Sequence, residues 1–78
     1  MPISTDFVEE LKILALFNLS TSQEGIKVHH TAAEDAIAAT ERLYHKGLVT
    51  QVDGGYLTGL GRDAAEHTQA LLGILKDQ

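Results

Sequence analysis

Phe7, Leu11 and Leu14 recur at i, i+4 and i+7 with Val8, Ala15 and Phe17 beside them, the spacing of one helical face. Asp6 followed three residues later by Glu9 forms a capping-box pair, and acids in a first turn suit the positive end of a helix. The stripe is expected to be core. Ile13 and Leu16 lie about 100° or more away from it at 3.6 residues per turn, so they are surplus apolar groups that need another partner.

The next stretch, "NLSTSQEGIKVHHTAAED", carries two patterns. Thr21 and Glu24 make a second capping-box pair, which favours a short helix over residues 21–29. "IKVHH" also alternates as a strand does, with Ile26, Val28 and His30 on one side, and Gly25 costs a helix about 1 kcal/mol relative to Ala. Both patterns stand, and the cap tips the reading toward helix.

Over residues 32–46, Ala, Glu, Leu and Arg dominate with no breaker, which predicts a longer helix. Ala33, Ile37, Thr40, Leu43 and Tyr44 gather on its inner side, and Gly47 follows as a left-handed stop. "LVTQV" and "YLT" flank Asp53-Gly54-Gly55, a strong hairpin signal. Thr58 then caps a last helix ending near Leu75, with Leu60, Ala64, Leu71 and Leu75 along a stripe. Leu72 and Ile74 widen that stripe, and Gly73 among them is expected to permit a close helix approach.

Helix, short helix, helix, hairpin, helix is an α+β order, that of a winged helix-turn-helix with a recognition helix, a two-stranded wing and a C-terminal helix. One domain over residues 1–78 is expected. Its core should join Ile37, Leu43, Tyr44, Leu48 and Leu57 to Phe7, Leu11 and Leu14.

The segment "ATERLYHKGLVTQVDGGYLTGLGRDAAE" resembles the corresponding part of MarR-type and related winged-helix regulators. The register of that resemblance makes residues 32–46 the recognition helix, 49–58 the wing and 21–29 the first helix of the helix-turn-helix. Nearly the whole chain is similar to a family of small bacterial winged-helix proteins of unknown function that are usually labelled DNA-binding. The resemblance implies a DNA-binding, transcription-associated protein, and such proteins commonly dimerise.

Charge changes the picture. Eleven acidic residues against six basic ones give a formal net charge of −5, which disfavours attraction to phosphate polymers. The outward side of the presumed reading helix presents Glu34, Asp35, Ala38, Glu41, Arg42 and His45, so its first half offers acids where Arg, Lys, Asn or Gln would read bases. Gln51, Asp53, Gly54 and Gly55 leave the wing tip without a cation for a minor groove. Candidate DNA contacts are therefore Lys27, His30, Arg42, His45, Lys46 and Arg62. Four phosphate contacts among them would give a salt slope of about −3.6. Protonating His29, His30, His45 and His67 would add four positive charges and favour binding at lower pH.

Other chemistry is excluded more firmly. With no Cys there is neither a disulfide framework nor a thiolate metal site, and the four histidines lack an i, i+4 pair of the HExxH kind, so no metal or cofactor is expected. There is no nucleophile elbow and no phosphate loop, which argues against an enzyme. Asp6, Glu9 and Glu10 precede any apolar run, and the longest such run covers residues 13–17, so a cytoplasmic protein without a membrane span is expected.

Ile13, Leu16, Leu72 and Ile74 are the expected seam of a homodimer. Two functions compete. One is a DNA-binding module, marked by clustering of Lys27, Arg42, Lys46 and Arg62 beside the reading helix. The other is a winged-helix protein–protein interaction module that does not bind DNA, marked by an acidic surface without such a patch.

Overall fold

A computed structural model describes residues 3–21 and 23–76. Its elements are α1 (Thr5–Leu14), β1 (Ile26–Lys27), α2 (Glu34–His45), β2 (Val49–Gln51), β3 (Gly54–Leu57) and α3 (Gly59–Lys76). Among the described residues this is a small α+β fold of three helices and one antiparallel three-stranded sheet, with β3 between β1 and β2.

α1 starts two residues earlier than its acids suggest. Ser4, not Asp6, is the N-cap, its Oγ accepting from the Phe7 N–H at 3.1 Å. The helix is also rotated from its expected face. Glu10, Ile13 and Leu14 are buried, and Phe17 beyond the helix joins them, whereas Val8 and Leu11 are exposed. Apolar residues surround more than half of α1, so periodicity leaves its orientation open, and a carboxylate buried against α2 decides it. Ile13, expected at a dimer seam, is instead a core residue.

The short helix expected over residues 21–29 does not form among the residues described there. The Asn18 Oδ1 accepts from the Ser20 N–H and the Thr21 Oγ1 from the Gln23 N–H, so these polar side chains close turns rather than cap a helix. The chain then enters β1, which pairs Ile26 with Gly55 and Lys27 with Gly54. The alternation in "IKVHH" was the better signal. Gly25 fits it for a steric reason: a Cβ there would stand 2.5 Å from the Gly55 carbonyl oxygen, so β1 can approach β3 only without a side chain.

α2 begins two residues later than expected, after Ala33, and no side chain caps it. Glu34 and Asp35 in its first turn face the positive helix end, which gives both acids a structural role. Ala39, Thr40 and Leu43 are its buried residues, while Ile37 is half-buried and Tyr44 is exposed. The hairpin forms, but it turns at Val52 and Asp53, one residue earlier than the expected Asp53-Gly54 turn; Gly54 and Gly55 belong to β3, and the register shifts between Val49 and Gln51. Leu48 and Leu57 are half-buried against the core of Ile13, Leu14, Phe17, Ala39, Leu43, Val49 and Ala65.

Thr58 does cap α3, its Oγ1 accepting from the Gly61 N–H at 3.0 Å and donating to the Gly47 carbonyl at 2.6 Å. The buried side of α3 is not its leucine stripe. Gly61, Ala65 and Thr68 point inward, and Leu60, Leu71 and Leu75 are exposed. A Cβ at position 61 would lie 1.8 Å from the Leu48 carbonyl oxygen, so only a glycine lets α3 rest on the chain entering the hairpin. Large side chains have no room on that face.

Candidate interaction surfaces

Glu10 is the centre of the polar structure. Its carboxylate, with the residue 6% exposed, accepts from the Arg42 Nε at 3.1 Å and from the Lys46 Nζ. Arg42 also donates to the Asp6 carbonyl oxygen at 3.2 Å, with the Asp6 carboxylate 3.8 Å away. The Lys46 ammonium lies 5.2 Å from the centre of the Phe7 ring, a cation–π arrangement. Arg42 and Lys46 share a face because they are four apart in α2, and both turn toward α1. One carboxylate thus faces two cations, and the cluster locks the two helices together.

Arg62 is engaged elsewhere. Its guanidinium donates to the carbonyl oxygens of Leu19 at 3.1 Å and Thr21 at 3.3 Å, holding the irregular segment after α1 against α3. Gln69 does similar work two turns on, donating to the Phe17 carbonyl at 2.8 Å and to the Leu14 carbonyl at 3.2 Å, the latter one that a helix end otherwise leaves unsatisfied. His45 is exposed and meets the Tyr44 ring edge-on at 5.4 Å.

Lys27 and His30 are exposed, and their side chains make no hydrogen bond or ion pair with the other described residues. They border an open notch of about 430 Å³ with His29, Ile37, Glu41 and Asp53. Two carboxylates beside one ammonium make this a poor phosphate site. The four cations expected to cluster are therefore divided among the α1–α2 seam, the base of α3 and the edge of β1.

The apolar surface is more continuous. Residues 70–76 of α3 are all exposed, with Leu71 at 54%, Leu72 at 41%, Ile74 at 62% and Leu75 at 58%. Leu16, at 64%, lies in the chain between Leu14 and Phe17, whose carbonyls Gln69 holds. Of the expected seam, Leu16, Leu72 and Ile74 are exposed and Ile13 is not. A separate groove of about 320 Å³ runs between α1 and α2, lined by Ile3, Phe7, Leu11, Leu14, Leu43 and Leu48.

Sequence reading did not single out Glu10 or Gln69, and it placed Leu71 and Leu75 on the packed stripe of the last helix. The i, i+4 spacing of Arg42 and Lys46, which puts two cations on one face, was the available signal for Glu10. Among the described residues no group of three His, Cys, Asp or Glu side chains is arranged to hold a metal, and no helix is long and apolar enough to cross a membrane.

No curated protein and no solved structure matches the chain. Residues 1–76 match a family described as of unknown function, DUF5669, and with nearly every residue covered the chain belongs to that family.

Proposed function

We propose that this protein is a winged-helix-like protein-interaction module, and that α2 does not act as a DNA reader. The order α1, β1, α2, hairpin, α3 supports the winged-helix part of the reading. Among the described residues no short helix precedes α2, and that is the element that would brace a reading helix across a DNA backbone.

The observation that carries the proposal is the engagement of Arg42 and Lys46 by Glu10. To meet phosphates, both cations must leave a nearly buried carboxylate and strand its charge. Breaking a fully buried pair costs about 3–5 kcal/mol. Here the two cations keep 30% and 44% of their side-chain surface in water, so the cost is lower but still opposes transfer to DNA. With Arg62 held by carbonyls, Lys27 of β1 alone of the four remains ready for a phosphate, and Glu34, Asp35 and Glu41 line α2.

What remains for recognition is apolar. Contiguous apolar patches above a few hundred Å² mark interaction sites on soluble proteins, and the exposed Leu71, Leu72, Ile74 and Leu75 along the end of α3 are the candidate for one. A homodimer is the simplest assembly such a surface can make.

The test is a titration of a fluorescently labelled random duplex at low salt. The interaction reading expects no saturable binding by wild type. Binding that Arg42→Ala abolishes, and that weakens steeply with salt, would return α2 to the role of a DNA-contacting helix.

A further inference from the structure

We infer that the partner for the end of α3 is a second copy of this chain, paired antiparallel, with Leu71 of each protomer against the partner's Leu75. The inference rests on the interaction reading above and assigns it an occupant and a register.

At 3.6 residues per turn, Leu71 and Leu75 lie about 40° apart on one side of α3, with Leu72 and Ile74 flanking them and Gly73 pointing about 160° away from either leucine. Gly73 is thus outside the seam, contrary to the close approach expected of it. A two-fold axis level with residue 73 sets Leu71 opposite the partner's Leu75 twice over, and it sets Leu72 and Ile74 against their own copies. That is the self-complementarity an isologous interface requires.

The direction follows from where the body sits. α3 is held to the rest of the molecule through Gly61, Ala65, Thr68 and Gln69, and its last two turns project beyond them. Antiparallel overlap of those turns alone puts the two bodies at opposite ends. Parallel overlap would force them side by side and bring the two Lys76 ammonium groups together.

Leu71, Leu72, Ile74 and Leu75 expose on the order of 400 Å² per protomer, about half of the roughly 800 Å² that each partner of a standard stable pair buries, so the pairing is a weak one formed at high micromolar concentration. Charge favours it. No ionisable residue occurs from Gln69 to Leu75 in a chain of net charge −5, so two acidic molecules can meet there without like-charge contact.

The chain has no cysteine, so introduced thiols report pairing without background. Leu71→Cys and Leu75→Cys would be prepared separately, each checked for an unchanged far-ultraviolet circular dichroism spectrum, then oxidised with diamide alone and as an equimolar mixture. The mixture should give covalent dimer several-fold above either variant alone. Leu75→Glu, at a site already exposed, should sediment as a folded monomer where wild type is a dimer. Self-cross-linking of Leu71→Cys as fast as the mixture would overturn the antiparallel register. So would a dimeric wild type without the mixed cross-link. A wild type that is monomeric at high micromolar concentration would overturn the pairing altogether. None of these outcomes bears on the duplex titration, so the interaction reading and the pairing fail separately.

Discussion

Glu10→Gln is a sharp probe of the α1–α2 seam, because it keeps the side-chain volume and removes only the charge. Glu10 accepts from both Arg42 and Lys46, and hydrogen bonds to charged groups contribute about 1.5–3 kcal/mol each. The amide oxygen can still accept one weaker bond. The released cations are 30% and 44% exposed and take up water, which reduces the loss further. A net destabilisation of about 1–2 kcal/mol is expected. For a domain of this size each kcal/mol lowers the melting temperature by about 4–8 °C. Urea unfolding at pH 7 would measure it, followed by circular dichroism since the chain has no tryptophan, with an unchanged m-value. Glu9→Gln is the internal control. Glu9 pairs with Lys12 at 3.0 Å across a surface where Lys12 is 66% exposed, and such pairs contribute less than about 0.5 kcal/mol. Equal losses for Glu9→Gln and Glu10→Gln would refute the assignment of Glu10 as the hub.

The rotation of α1 separates two leucines that periodicity had equated. Leu14→Ala should cost about 2–5 kcal/mol, and Leu11→Ala, at a side chain 38% exposed, about 1 kcal/mol; similar values from thermal unfolding would restore the original face. Gly61→Ala should cost about 3 kcal/mol or more, since the new methyl group meets a backbone oxygen that cannot swing aside, and a stability within 0.5 kcal/mol of wild type would contradict the close approach of α3 to Leu48.

Local signals carried much of the fold. α2, its glycine stop, the hairpin and the Thr58 cap all follow from residues within a few positions of one another, and each formed near its expected place. The failures share a cause in long-range partners. The face of α1 depends on Arg42, 32 positions beyond Glu10, and hydrophobic periodicity assigns a glutamate to solvent by default. Residues 21–29 carried a helix cap and a strand alternation together, and pairing with Gly54 and Gly55 decided between them. On α3, ranking by hydrophobicity prefers Leu60 and Leu71 to Gly61 and Ala65, whereas the approach of the Leu48 carbonyl selects for small size. The i, i+4, i+7 spacing of Gly61, Ala65 and Thr68 was present in the sequence and points to such a contact. The partners of Arg42, Lys46 and Arg62 were hidden for a similar reason. A count of cations says nothing about which ones the fold itself will engage.

The proposed recognition surface is the apolar end of α3, not α2 and the hairpin. Amide chemical shifts of the 15N-labelled protein test it residue by residue, recorded over a concentration series and again with added duplex at low salt. The expected result is concentration-dependent shifts at Leu16 and from Leu71 to Leu75, with residues 34–46 and 50–55 unmoved by the duplex. Shifts confined to Lys27, Arg42, Lys46 and the hairpin on adding duplex, with the end of α3 unchanged at every concentration, would contradict it.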